Sequence, residues 1–205
     1  MDELEKEYLI SHYSKLMGTL GETPAALGWT KAGQIERYNA VLRMKGLSDG
    51  SSVLDFGCGM GDLYPFLGER FPRLDFTGLD INPKLVSIAQ RRYQTDGNAC
   101  RFGVFDSGKD QFARSYDFSV ICGVFNQRLE HAVESAKNAV RKVWDVTKKA
   151  LFFDALSDSA PAKDFTLQYY NLSEMRDFAR TLSGDFEISG GIVNGDIILY
   201  LYRSN

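Results

Sequence analysis

Seven short apolar runs, four of them divided from the next by stretches with helical spacing, constrain this chain more than any other feature. The runs are Val53–Phe56, Asp75–Asp80, Cys100–Phe105, Tyr116–Phe125, Ala150–Leu156, Phe186–Ser189 and Asp196–Arg203. Apolar residues recur every three or four positions between them. Leu85, Ile88, Ala89 and Tyr93 form one such stripe, and Val133, Ala136, Val140, Val143, Trp144 and Thr147 form a longer one. A third, Met175, Phe178, Ala179 and Leu182, follows Asn171 and Glu174, which are spaced as a capping box. A shorter helix is expected over residues 62–71, with Pro65 in its first turn. Asn82-Pro83 places a capping side chain and then a residue with no N–H to satisfy, a strong helix start. Strands alternating with helices predict a parallel α/β sheet covered on both faces. The last two runs flank Gly190, Gly191, Asn194 and Gly195 and predict an antiparallel hairpin at one edge. Two further helices are expected before the first strand. Leu9, Tyr13, Leu16, Met17 and Leu20 mark one, and Ile35, Tyr38, Val41 and Leu42 the other, with a breaker-rich loop between them. The expected division is an N-terminal helical extension over residues 1–46 and one α/β domain over residues 47–205.

Composition removes several classes of function. Cys58, Cys100 and Cys122 are odd in number and widely spaced, which argues against a disulfide framework or a thiolate zinc site. His12 and His131 are the only histidines, so no multi-histidine metal site is expected. There is no GxSxG nucleophile elbow. A net charge of −3 gives no support for a nucleic-acid partner. No apolar run reaches membrane-spanning length, and the acidic start MDELEKEYLISHY does not resemble a targeting signal. The expectation is a cytoplasmic protein acting on a small molecule, with no membrane or nucleic-acid partner.

Ligands of open α/β sheets sit outside the carboxyl ends of the strands, so the residues following each strand carry the functional reading. After the first strand comes Asp55-Phe56-Gly57-Cys58-Gly59-Met60-Gly61-Asp62. Three glycines in five residues allow a tight turn and close backbone approach to a ligand. The dinucleotide fingerprint GxGxxG would need glycine where Asp62 stands, and Asp55 and Asp62 are poor neighbours for a diphosphate. A cationic ligand suits them better. Asp80, 23 residues past Gly57, ends the second strand, where a carboxylate can accept from both hydroxyls of a ribose. Asp106 follows the third strand and suits an exocyclic amine, with Phe105 and Ile81 placed to sandwich a flat ring; Asp110 is close enough to take the same role. Cys122-Gly123-Val124-Phe125-Asn126 follows the fourth strand, where a substrate would meet a cofactor.

In order and spacing, DFGCGMGDL, GLDINPKLV, FGVFD and YDFSVICGVFN resemble the sequential motifs of class I S-adenosylmethionine-dependent methyltransferases. The stretch LGWTKAGQIERYNAVL and the segment Tyr169–Glu174 are also similar to small bacterial and phage-type methyltransferase-like proteins. The resemblance implies a seven-stranded, mostly parallel Rossmann-like sheet in the order 3-2-1-4-5-7-6, and S-adenosyl-L-methionine as cofactor. It implies that Gly57, Cys58 and Gly59 approach the methionine moiety, with the carbonyls of Gly57 and Cys122 facing its ammonium and Asp55 behind it. Asp80 would hold the ribose, and Phe105, Asp106 and Ser107 would frame the adenine. Arg37 is the candidate partner for the methionine carboxylate, against a surface salt bridge. Tyr13 and Trp29 are candidates for a lid over the sulfonium, with Trp29 alternatively a core anchor.

The implied activity is methyl transfer to a small-molecule oxygen or nitrogen acceptor. The absence of an Asn/Asp-Pro-Pro-aromatic motif after the fourth strand argues against a nucleic-acid base as acceptor. Phe125, Asn126, Tyr169 and Tyr170 are the substrate-side candidates, and His131 and His12 the general-base candidates. Cys58 and Cys122 read more simply as small packing residues than as nucleophiles. Two other readings stand beside this one: a non-catalytic S-adenosylmethionine-binding sensor or partner protein, and a dinucleotide-dependent oxidoreductase.

Overall fold

A computed structural model describes residues 1–94, 100–190 and 195–204. The chain runs α1 (Glu3–Leu20), a 3₁₀ turn (Pro24–Leu27), α2 (Lys31–Val41), β1 (Ser52–Phe56), α3 (Leu63–Gly68), β2 (Asp75–Asp80), α4 (Pro83–Tyr93) and β3 (Cys100–Val104). It continues with β4 (Tyr116–Ile121), α5 (Ala132–Asp145), β5 (Thr147–Leu156), α6 (Leu172–Leu182), β6 (Asp185–Gly190) and β7 (Asp196–Tyr202). The strands form one sheet in the order β3-β2-β1-β4-β5-β7-β6. β1 to β5 pair in parallel, and β7 runs antiparallel to both β5 and β6. The expected sheet is therefore present, with its antiparallel hairpin. Part of the hairpin loop, residues 191–194, lies outside the described residues.

Alternation along the central strands sorts the core into two layers. Phe152 and Tyr200 face the side covered by α2, α3 and α4, where they join Val53, Phe76 and Phe118. Leu151, Phe153, Leu199 and Leu201 face α5 and α6, which contribute Val140, Val143, Trp144, Met175 and Phe178. The strands are thus apolar on both faces, as a doubly covered parallel sheet requires. Ala40 and Val41 of α2 are buried in the first layer, and Tyr200 Oη donates to the Ala40 carbonyl at 2.8 Å. Of the 1–46 segment, α2 is woven into the core of the sheet. α1 packs instead through Met17, with Ala26, Met60, Leu85 and Ile88, into a smaller cluster of its own.

Local chemistry sets most helix starts. Asn82 Oδ1 accepts the Lys84 N–H at 3.0 Å, with Pro83 first in α4 as expected. Asn171 Oδ1 accepts from Ser173 and Glu174 at the start of α6. The reciprocal capping box is found at α1, between Asp2 and Glu5, where the sequence pattern was not read. Three expected boundaries move. β4 ends at Ile121, because Gly123 turns the chain at φ 69°. β5 starts at Thr147, which the helical stripe had claimed, and α3 is shorter than residues 62–71. Among the described residues no helix is long and apolar enough to cross a membrane.

Phe152 has no exposed surface in mid-β5 and meets Tyr200 edge-on at 5.6 Å. Phe152→Ala is expected to cost about 3–5 kcal/mol of stability, read as a lowered denaturant midpoint with an unchanged slope.

Candidate functional site

The strand order reverses at β1, so the connections leaving β1 and β4 part to opposite faces. A cavity of about 540 Å³ lies there, at the carboxyl ends of β1 to β4 and beneath α1 and α5. Of the thirteen residues proposed from sequence for the cofactor, Tyr13, Trp29, Gly57, Gly59, Asp80, Ile81, Phe105, Asp106, Ser107 and Cys122 line it.

The turn after β1 is stitched to β2. The N–H groups of Gly57 and Cys58 donate to the Leu79 carbonyl at 2.7 and 3.1 Å, and Gly59 N–H donates to Asp80 Oδ2 at 2.9 Å. The glycine at position 57 has a second cause that sequence did not disclose. Its φ is 80°, and a Cβ there would lie 2.3 Å from Val124 Cγ2. The turn after β1 therefore meets the turn after β4 face to face. Cys58 is buried beneath, beside Gly78.

Asp80 presents both oxygens at the cavity wall, each already holding one backbone N–H: Gly59 on Oδ2, and Asn82 on Oδ1 at 2.8 Å. Burial raises its pKa, and the N–H donors of Asn82, Gly59 and Ile81 hold the rise down. A carboxylate has about four acceptor positions, so lone pairs remain for a ligand diol. Asp55 is 3% exposed at the end of β1, behind the wall. Burial, with Asp80 and Asp62 close by, pushes its carboxyl up to about 8. Phe105 stacks on Phe112 at 4.6 Å and meets Phe56 edge-on at 6.3 Å, which fixes its ring at the cavity floor.

Asp106 is engaged with the helix above it. Its Oδ2 accepts from Lys6 Nζ of α1 at 2.8 Å and its Oδ1 from Gly108 N–H at 2.8 Å; the lysine holds the carboxyl below the usual carboxylate range. Asp110 takes the backbone N–H of Asp106 at 2.8 Å and stands outside the cavity wall. Lys109 pairs with Glu3 at 2.7 Å, and Glu5 accepts the His131 N–H at 3.1 Å. Polar contacts thus tie the first turns of α1 across the cavity, while Tyr13 is half-buried in its lining.

The structure does not bring every expected residue to the cavity. Arg37 is the principal correction: it is 9% exposed, and its guanidinium is spent on two buried carboxylates. Nε lies 3.2 Å from Asp154 Oδ2, and the opposite terminal nitrogen pairs with Asp196 Oδ2. It is neither a free cation for a ligand carboxylate nor a surface salt bridge. His131 is exposed at the start of α5, and His12 packs between Tyr8 at 5.7 Å and Tyr13 at 5.2 Å; neither lines the cavity. Phe125 lines it, but Asn126, Tyr169 and Tyr170 do not. Tyr170 is 2% exposed and donates to the Phe125 carbonyl at 2.9 Å, so it braces the wall from behind. Tyr169 Oη accepts the Asp164 N–H at 2.7 Å. The sequence reading missed Leu27, Gln127, Leu129 and the α5 residues Ser135 and Asn138, all in the lining. It also missed Asp154, which the rule of reading strand ends would have found at the end of β5.

Residues 53–150 match the family described as "Methyltransferase domain". The Mycobacterium tuberculosis protein Rv1506c, named for an inferred methyltransferase activity, is 34% identical over 92 residues, which are 43% of this chain and 51% of that protein. The chain thus spans about half the length of the curated relative it matches. Among solved structures, magnesium protoporphyrin IX methyltransferase from Synechocystis PCC 6803, with bound S-adenosylhomocysteine, superposes with a TM-score of 0.67 at 19% identity over 84% of each chain. The plantazolicin methyltransferase BpumL, in complex with a triazolic desmethylPZN analog and S-adenosylhomocysteine, gives 0.66 at 12% identity over all of both chains. The family and sequence similarities are to methyltransferases over part of the chain, and the likeness to the solved structures is one of fold.

Asp55 predicts a pH-dependent stability. Its folded pKa, about 8, lies above the ordinary 3.8, so the folded state keeps a proton that the unfolded state has released. Stability therefore falls as pH rises between those values. Asp55→Asn removes that cost, on the order of 1–3 kcal/mol for a buried carboxylate. Thermal unfolding should show the variant gaining on the wild type from about pH 5 to about pH 8.

Proposed function

We propose that this protein is an S-adenosylmethionine-dependent methyltransferase acting on a small-molecule oxygen or nitrogen acceptor. The observation that carries the reading is the junction of Asp80 with the Gly57–Gly59 turn: a carboxylate with both oxygens braced by backbone N–H groups, at the rim of a cavity floored by Phe105. That donor set fits an adenosyl ligand. Asp80 would accept from the ribose hydroxyls, with Ile81, Phe105, Asp106 and Ser107 around the adenine. Gly57, Cys58, Gly59 and Cys122 would offer backbone to the methionine end, with Asp55 behind it. Tyr13 and Trp29 would lie nearest the sulfonium, where an aromatic face is worth about 0.5–2 kcal/mol. Of the 1–46 extension, α1 serves as the lid over the 47–205 domain, while α2 belongs to that domain's core.

S-adenosylmethionine, when bound, supplies an electrophilic methyl whose leaving group departs neutral. The residues of the chain then have one main task, to hold the acceptor in line. Such positioning can contribute about 7–11 kcal/mol. Phe125, Leu27 and Leu129 give part of the remaining wall apolar surface, beside the polar Gln127, Ser135, Asn138, Arg141 and Lys142. An acceptor nitrogen or oxygen that is unprotonated at working pH needs no base from this wall. The likeness to methyltransferases named for magnesium protoporphyrin IX and plantazolicin supports a small-molecule acceptor.

Calorimetry is expected to show S-adenosylmethionine and S-adenosylhomocysteine binding, and NAD not binding. Asp80→Ala should weaken both adenosyl ligands by about 100-fold or more, since both hydroxyl bonds are lost together. Unchanged affinity would remove the ribose assignment. Formation of S-adenosylhomocysteine with a metabolite library separates an enzyme from a sensor, and His12→Gln and His131→Asn should leave that turnover within about twofold.

A further inference from the structure

Arg37 sits in a closed circuit of contacts that ends at the cavity wall. Its Nε lies 3.2 Å from Asp154 Oδ2. The other oxygen of Asp154 accepts the Gly123 N–H at 2.5 Å. Gly123 stands at φ 69°, and a Cβ on it would lie 2.0 Å from Trp29 Cζ2, so the indole fills the place of the missing side chain. The Trp29 ring in turn lies 4.6 Å from Arg37 Cζ, stacked on the guanidinium. The other end of the fork pairs with Asp196 at the start of β7, and NH1 donates to the Gly33 carbonyl at 3.3 Å within α2. Five parts of the chain meet here: α2, the segment preceding it, the turn after β4, the end of β5 and the start of β7. Asp154 is 1% exposed and Asp196 2%.

We propose that Arg37 and Asp154 are positioning residues: through the Gly123 N–H and the Trp29 indole they set the Cys122–Gly123 turn that forms the methionine-side wall of the cavity. Trp29, Cys122 and Gly123 line the cavity, whereas Arg37 and Asp154 do not. Whatever these two contribute to a ligand passes through the wall residues they hold. The guanidinium matters in two ways that a lysine does not reproduce. Its fork spans two carboxylates, and its flat face stacks on an indole. Buried carboxylates on β5 and β7 without it would be left uncompensated. The inference rests on the proposed cofactor reading, in which the Cys122 carbonyl faces the methionine ammonium.

The test compares S-adenosylhomocysteine with 5′-methylthioadenosine, which shares the adenosyl group and lacks the amino-acid end. Both are titrated calorimetrically against wild type, Asp154→Ala, Asp154→Asn and Arg37→Lys. Asp154→Ala is expected to weaken S-adenosylhomocysteine by about 10-fold or more and methylthioadenosine by under about twofold. Asp154→Asn keeps an oxygen for the Gly123 N–H and should recover most of the loss, to within about threefold of wild type. Arg37→Lys keeps a charge but not the stacking, and is expected to lose about threefold to fivefold for S-adenosylhomocysteine alone. It also carries the comparison if Asp154→Ala does not yield folded protein. Equal losses for both ligands, which general damage to the fold would produce, overturn the inference, as does no loss for either. Wild-type protein that binds neither ligand overturns the cofactor reading, and this inference with it.

Discussion

The reversal of strand order between β2 and β4 about β1 is the constraint on which the site depends. Parallel pairing on both sides of β1 sends the chain from β1 toward one layer of helices and from β4 toward the other. The two connections part at the sheet's edge and leave a crevice that neither can fill. The structure narrows the crevice without closing it. Val124 fills the space over Gly57, Trp29 the space over Gly123, and Leu27 comes to 2.9 Å of where a Cβ on Gly59 would be. Each glycine removes a side chain where one element must lie against another. Approach to a ligand, the reason first given for them, is only part of why they are there.

Charge is distributed unevenly around this crevice. Asp55, Asp154 and Asp196 are buried near the strand ends, Asp80 lies at the cavity wall, and Arg37 is the buried cation paired with two of them. Each carboxylate meets the cost of leaving water differently. Asp80 is solvated by backbone N–H groups. Asp154 and Asp196 share the guanidinium, and burial still holds the Asp196 carboxyl up at about 6. Asp55 keeps its proton to about 8. With Asp55 protonated and Arg37 shared by Asp154 and Asp196, Asp80 is the carboxylate at the cavity wall that a cationic ligand would compensate. This agrees with the proposal of a ligand carrying both an ammonium and a sulfonium.

The outer wall has a different character. α1 is held at its far end by apolar packing around Met17 and across the cavity by Lys6, Glu3 and Glu5. An exposed ion pair such as Lys109–Glu3 contributes little to stability and is weakened by salt, whereas Lys6–Asp106 is part-buried.

Much of the sheet was legible along the sequence, because strand and helix periodicity, Asn82-Pro83 and the residues after each strand are local signals. Eight of the ten cofactor candidates in the cavity lining, all but Tyr13 and Trp29, are there for that reason: a strand end is a place in the fold as well as in the chain. Arg37 failed as a direct ligand because a cation's partner is chosen in three dimensions. Asp154 and Asp196 lie more than a hundred residues further along, and nothing near Arg37 announces them. Tyr170 and His131 show the same limit, since a polar residue near a site in sequence can brace it from behind or face water. The sequence by itself determined the order of strands and helices and which carboxylates stand at strand ends, because those follow from local periodicity and chain direction. Only the tertiary structure decided which charges are paired, which glycines receive a neighbour's side chain and which helix covers the cavity, because these depend on packing between segments that the chain brings together only when folded.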